Sequence, residues 1–169
     1  MKAVSNTTPL RYLIAISQEN LLEKLFEKVL VPVAVHEELI DPRTPQLVRQ
    51  TVAALPAWLE VRKVDEKDTD VFPVVLHRGE RQAILLAEAV RADVLLIDEQ
   101  IGRAIARERN LPLSGTLGIL ERADTMGYVK DFPEIVRRLK TSGFYLTDAL
   151  EQQLVERSRR RQIARGKNK

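Results

Sequence analysis

Apolar positions along this chain alternate between short unbroken runs and stretches in which they recur every three or four residues. The short runs fall at Ala3 to Ser5, Val29 to Val31, Glu60 to Val64, Val94 to Ile97 and Leu111 to Ser114. Runs of that length, bounded by polar residues, predict strands, and the four consecutive apolar residues Val94-Leu95-Leu96-Ile97 predict one buried on both faces of a parallel sheet. Between them lie helical patterns. Asn20 is placed to cap Leu21 to Phe26; Pro32 suits the first turn of a helix through Ile40, which Asp41-Pro42 stops; Gln46 to Leu55 forms a short amphipathic helix before Pro56. Glu80 to Ala92 sets Ala83, Ile84, Ala87 and Val90 on one face, and Gln100 to Arg109 does the same with Ile101, Ala104 and Ile105. Leu117 to Met126, Pro133 to Lys140 and a last segment capped by Thr147 complete the helices, while the polar stretch Asp65 to Arg78, with Pro73 inside it, reads as a surface connection. Strands alternating with helices predict an α/β sandwich with a mostly parallel sheet, because right-handed crossovers lay a helix over each connection.

Composition narrows the chemistry. A chain of 169 residues suits one domain, and 44% apolar with 30% charged residues is the balance of a soluble globular protein. Cysteine is absent, which removes disulfides, thiolate zinc sites and cysteine nucleophiles, and two histidines are too few for a histidine cage, so a metal here must be held by oxygen. The amino terminus shows no apolar signal core, and no stretch approaches the ~18 apolar residues of a membrane span, so a cytoplasmic protein with no membrane partner is expected. The net charge of +3 is unevenly placed: residues 157–169 hold seven cations and no acid, against 20 cations and 24 acids before them. This divides the chain into a domain over residues 1–156 and a flexible basic tail over 157–169. Arg157, Arg159, Arg160, Arg161 and Arg165 are its candidates for meeting a polyanion, although a solvated chain end has the same composition.

Acids gather where strands should end. Val94 to Ile97 delivers Asp98 and Glu99 to the edge at which a parallel sheet binds its ligands; Asn6 follows the first strand, Glu38 lies on the helix after the second, and Glu80 opens the helix after Gly79. Two carboxylates ~4 Å apart repel by about 4 kcal/mol at an effective dielectric of 20. Such a set persists by holding protons or by binding a cation, and Mg²⁺ or Mn²⁺ is the natural guest, leaving positions open for a phosphate oxygen. Each residue alone also has a structural reading: Asp98 as a helix cap, Glu99 and Glu80 as first-turn acids, Asn6 and Thr8 as a turn before Pro9, and Thr116 as a cap. Glu37 and Glu38 compete, since neighbours on a helix point about 100° apart and only one can face the crevice. His36 and His77 read as surface or loop residues, Trp58 as an anchor for a helix end with a base-stacking surface as the alternative, and Gly102 as a point of close packing.

Five stretches in this order, Val4-Ser5-Asn6-Thr7-Thr8-Pro9-Leu10, Val35-His36-Glu37-Glu38-Leu39, Gly79-Glu80-Arg81-Gln82-Ala83-Ile84, Leu95-Leu96-Ile97-Asp98-Glu99 and Ser114-Gly115-Thr116-Leu117-Gly118, resemble the PIN-domain ribonucleases. The likeness is to a subgroup of short prokaryotic proteins related to VapC-type toxins. It implies a three-layer α/β/α sandwich and a Mg²⁺- or Mn²⁺-dependent endoribonuclease. It further implies the toxin of a toxin–antitoxin pair, a homodimer restrained by a small antitoxin protein. By that resemblance Asn6 takes the place of the first aspartate, Glu38, Glu80 and Asp98 those of the second, third and fourth acids, and Thr116 that of a hydroxyl near the metal. The departure is Asn6, a neutral amide where the pattern most often has an aspartate. It implies weaker metal affinity, and it leaves as the alternative a PIN-like module that binds RNA or protein without turnover. Other α/β enzymes fit poorly, since the phosphate loop, the dinucleotide glycine pattern and the serine elbow are all missing from the sequence.

Overall fold

The computed structural model describes residues 1–67 and 71–167; residues 68–70 of the expected connection and 168–169 of the expected tail lie outside them. In chain order the elements are β1 (Lys2–Ser5), α1 (Thr7–Ala15), α2 (Asn20–Leu25), β2 (Lys28–Pro32), α3 (Val33–Ile40), α4 (Gln46–Ala53), β3 (Leu59–Arg62), α5 (Arg78–Ala89) and β4 (Val94–Leu96). They continue with α6 (Gln100–Glu108), β5 (Leu113–Ser114), α7 (Thr116–Thr125), α8 (Phe132–Thr141) and α9 (Asp148–Lys167).

The five strands form one parallel sheet in the order β3-β2-β1-β4-β5. Ala3, Val4 and Ser5 are all buried, as are Val94, Leu95, Leu96 and Ile97. Successive side chains on a strand point to opposite faces, so both faces of the sheet are covered, as an unbroken apolar run demands. Ala83, Ile84 and Ala87 of α5 pack with Val4, Leu30, Leu95 and Ile97 in one core cluster. The chain steps outward from β1 through β2 to β3, then returns to place β4 on the other side of β1. Strand order therefore reverses between β1 and β4, and such a switch point opens a crevice at the strand ends. Ser5 is in register with Leu96, and the Asn6 amide donates to the Leu96 carbonyl at 3.0 Å. Asn6 and Asp98 thus leave adjacent strands at the same edge.

Two expectations need correction. Thr7–Ala15 is a helix, whereas Asn6 to Pro9 reads as a turn; Leu10, Leu13 and Ile14 bury at three- and four-residue spacing, and Pro9 stands in the first turn, where an N–H has no intrahelical acceptor to lose. The flexible tail from residue 157 is the second half of α9. The chain divides into two compact units at another place, Met1–Thr116 and Leu117–Lys169. Within the second unit, Arg157, Arg161 and Arg165 recur every four residues on α9 and pair with acids of α7: Arg157 with Glu121, and Arg161 and Arg165 with the fully buried Asp124. These pairs hold the basic segment as helix.

Trp58 is 6% exposed, which leaves little of its ring open to a stacking base. Among the described residues no helix is long and apolar enough to cross a membrane.

Candidate functional site

At the β1 end Asn6 is 2% exposed and stands just before α1. Its Nδ2 donates to Glu99 Oε2 at 2.6 Å, while its Oδ1 is buried and receives no hydrogen bond among the described residues. Thr8, one step into α1, donates its hydroxyl to the other Glu99 oxygen, Oε1. Glu99, expected to be a first-turn acid of the helix dipole, precedes α6 and ties the β4 end to the β1 end. The tandem acid pair at the end of a buried strand was its only sequence signal.

Asp98 is gripped by Thr116, whose backbone N–H donates to Oδ1 at 2.8 Å and whose hydroxyl donates to Oδ2 at 2.5 Å. It caps a helix, as its structural reading has it, but that helix is α7 rather than the adjacent α6. Glu80 also does two things. Its Oε2 accepts the His77 N–H at 3.0 Å, closing the first turn of α5, while its Oε1 turns toward α6. Glu38 accepts the Thr7 hydroxyl, whereas Glu37 pairs with Arg78 at 3.0 Å on the surface. That difference separates the two neighbours: Glu38 faces the start of α1 and Glu37 faces away.

Close approach depends on missing side chains. A Cβ on Gly79 would lie 2.6 Å from Glu38 Oε1, and one on Gly102 would lie 2.9 Å from Glu80 Oε1 and inside contact range of Ile97. The packing role expected of Gly102 is present, and it includes a carboxylate.

The electrostatics bind these acids into one set. Burial pushes the Asp98 carboxyl above its usual range, against hydrogen bonds from Thr116 that lower it, and Glu99 adds a further upward push. Burial likewise raises Glu80, with Glu99 and Glu38 adding to the rise. Arg103, whose Nη1 donates to the Ile97 carbonyl at 2.7 Å, offsets part of the charge at Asp98. Asn6, Glu38, Glu80, Asp98 and Thr116 therefore meet at one sheet edge within the first unit, joined by Glu99, Thr7 and Thr8, which the sequence named without a place among the candidate site residues, and by Arg103, which it did not single out.

Among the described residues no three Asp, Glu, His or Cys side chains close on a common point as they stand. A closed cage is not what Mg²⁺ requires, since it takes one or two carboxylates and keeps several waters. The donor chemistry fits such an ion: every candidate is a hard oxygen, and Asn6 Oδ1 is a buried acceptor lacking a donor.

The basic candidates do not behave as a group. Arg157, Arg161 and Arg165 are spent on Glu121 and Asp124, and Arg160 pairs with Glu156 one turn away on the same helix. Arg159 is exposed and makes no ion pair among the described residues.

Comparison with known proteins gives a consistent picture. A family model described as "PIN domain" matches residues 2–160. Among solved structures, a PilT N-terminus domain protein from the hyperthermophilic archaeon Sulfolobus solfataricus P2 superposes with a TM-score of 0.52 at 16% identity, covering 73% of this chain and 93% of its own. No curated protein matches.

Proposed function

This chain belongs to the PIN-domain family, whose members are in general divalent-metal-dependent nucleases, and from that premise we propose that it is a Mg²⁺- or Mn²⁺-dependent endoribonuclease. The observation that carries the reading is the pairing, at one sheet edge, of a buried acceptor without a donor among the described residues, Asn6 Oδ1, with the raised carboxyls Asp98 and Glu80, each pushed further up by Glu99. Buried acids that repel one another need either protons or a cation, and a nuclease site needs the cation. When bound, the divalent ion supplies Lewis-acid polarisation of a phosphoryl oxygen and offsets the charge that develops on it.

The chain's own residues do the rest. Asn6, Glu38, Glu80 and Asp98 are the proposed ligands, with Glu99 added as a fifth oxygen donor. Thr116 holds both Asp98 oxygens, and Thr7 and Thr8 each hold one carboxylate, Glu38 and Glu99, in a fixed rotamer before any ion arrives. The resemblance to VapC-type toxins extends the proposal to single-stranded RNA as substrate, a small antitoxin as restraint and a homodimer as the working form.

A single assay tests the core of it. Single-stranded RNA should be cut in Mn²⁺ and spared in EDTA, and Asp98→Asn should abolish cutting. Cleavage that persists in EDTA and in the variant would overturn the assignment. The second reading, an RNA-binding module without turnover, draws on Asn6, whose amide is neutral and already committed to Glu99. It predicts RNA binding in EDTA together with intact RNA in Mn²⁺.

A further inference from the structure

Beside the acids lies an open cleft of about 400 Å³, lined by Thr7, Arg11, Glu38, Asp41, Arg43 and Thr44, of which only Glu38 is a proposed metal ligand. Its volume falls within the roughly 300–1,000 Å³ typical of ligand sites. Glu38 belongs both to this cleft and to the acid set, so whatever enters here lies next to the reacting bond.

The two arginines reach the cleft by different routes. Arg11 is an exposed residue of α1 whose guanidinium lies 6.0 Å from the Tyr12 ring centre, and it makes no ion pair among the described residues. Arg43 is aimed by its neighbour: Asp41 accepts its backbone N–H at 2.8 Å, its Nε at 2.8 Å and its Nη2 at 3.0 Å. That leaves Nη1 unused by the Asp41 fork. The turn carrying Arg43 is itself fastened to the helix that carries Glu38, because Thr44 donates its hydroxyl to the Glu38 carbonyl at 2.8 Å and its N–H to the Asp41 carbonyl at 2.9 Å. Pro42 and Pro45 further limit the conformations open to this turn.

We infer that this cleft is a phosphodiester subsite, in which Arg11 and Arg43 hold one backbone phosphate of single-stranded RNA beside the bond presented to Glu38. Asp41 directs the remaining N–H groups of Arg43, and each guanidinium offers one cation–phosphate contact. Guanidinium forks match phosphate oxygens in pairs, which gives position as well as affinity. The assignment deepens the nuclease reading by naming where the substrate backbone runs, and it rests on that reading only for the bond that is cut.

The test separates the two. A fluorescein-labelled 12-nucleotide oligouridylate is titrated by anisotropy in EDTA, where turnover is excluded, at several KCl concentrations. Arg11→Ala and Arg43→Ala should each weaken binding about five- to tenfold and flatten the dependence of log Kd on log salt by about 0.7 per lost contact. Arg137→Ala serves as control for the loss of one cation, and Mn²⁺ affinity by calorimetry should not move. Arg43→Lys keeps the charge and loses the fork, so a loss of affinity there with an unchanged melting temperature supports the geometric role. Unchanged Kd and slope in Arg11→Ala and Arg43→Ala, or an equal loss in Arg137→Ala, overturns the subsite. Binding that depends on Arg11 in a protein that cuts nothing supports the subsite and overturns the nuclease reading.

Discussion

A single amide sets the balance of the acid set. Asn6 donates to Glu99 and so quiets a repulsion that an aspartate in its place would create, two carboxylates at that range costing up to about 4 kcal/mol. Asn6→Asp should therefore lower the melting temperature in EDTA and tighten Mn²⁺ binding by at least about tenfold, one extra charge at a shared ion exceeding the 1.4 kcal/mol this requires. Calorimetry showing equal or weaker affinity would count against Asn6 as a ligand. Asp98 and Glu80 give the pH dependence. Burial, the largest cause for both, raises them above their ordinary values of 3.8 and 4.5, so protons are held more tightly in the fold than in the unfolded chain. Stability without metal is then highest below those values and falls as pH rises through the interval above them. Asp98→Asn removes a half-buried charge, and its melting temperature in EDTA at pH 7 should rise. Mn²⁺ affinity should climb as pH rises through that same interval, where protons stop competing, and a flat profile would show that neither acid titrates at the site.

Elements deliver these residues, and α6 is placed at close quarters. A helix with Gly102 in its first turn forgoes up to about 1 kcal/mol relative to alanine, and the sequence shows that cost without its reason. The reason is that Ile97 and Glu80 Oε1 occupy the space a Cβ on Gly102 would need. Gly102→Ala should reverse the propensity rule, destabilising the protein by about 1–3 kcal/mol in urea unfolding, as overpacking does, and moving Glu80 enough to weaken Mn²⁺ binding. A stabilised variant with unchanged metal affinity would mean that α6 shifts at no cost. At the start of α1, one short segment supplies Asn6, Thr7, Thr8 and, a turn later, Arg11, so an element that read as a turn before Pro9 positions the acids and lines the cleft beside them.

At the scale of the chain, charge is divided between the two units, with 15 cations and 17 acids in residues 1–116 and 12 cations and 7 acids in residues 117–169. The excess in the second unit is not all available to a polyanion. Asp124 is fully buried and takes Arg161 at 2.8 Å and Arg165 at 3.3 Å, with Arg161 also lying 5.6 Å from the Phe132 ring centre. Arg161→Ala leaves a buried carboxylate short of a partner and should cost about 1–3 kcal/mol of stability, seen as earlier loss of helical signal. Arg159→Ala should leave stability alone and flatten the salt dependence of RNA binding. If Arg161→Ala instead altered only the salt dependence, the basic half of α9 would be a nucleic-acid arm after all. Deleting residues 157–169 confounds the two effects, because it removes the partners of Asp124 together with Arg159.

The local pattern of this sequence determined the strands, the parallel sheet between helices, and the acids at the strand ends. Period and chain direction decide which side chains are buried and which edge they reach, and both are written in nearest-neighbour order. Tertiary structure alone decided which partner each acid holds. Glu99 became the link between β1 and β4, Asp98 the cap of a helix 18 residues away, Glu38 rather than Glu37 the acid facing α1, and the arginines of α9 the partners of Asp124. Hydrogen bonds and ion pairs depend on distance and direction between residues far apart in sequence, and those are fixed only once strand order, register and helix packing have brought the chain back on itself.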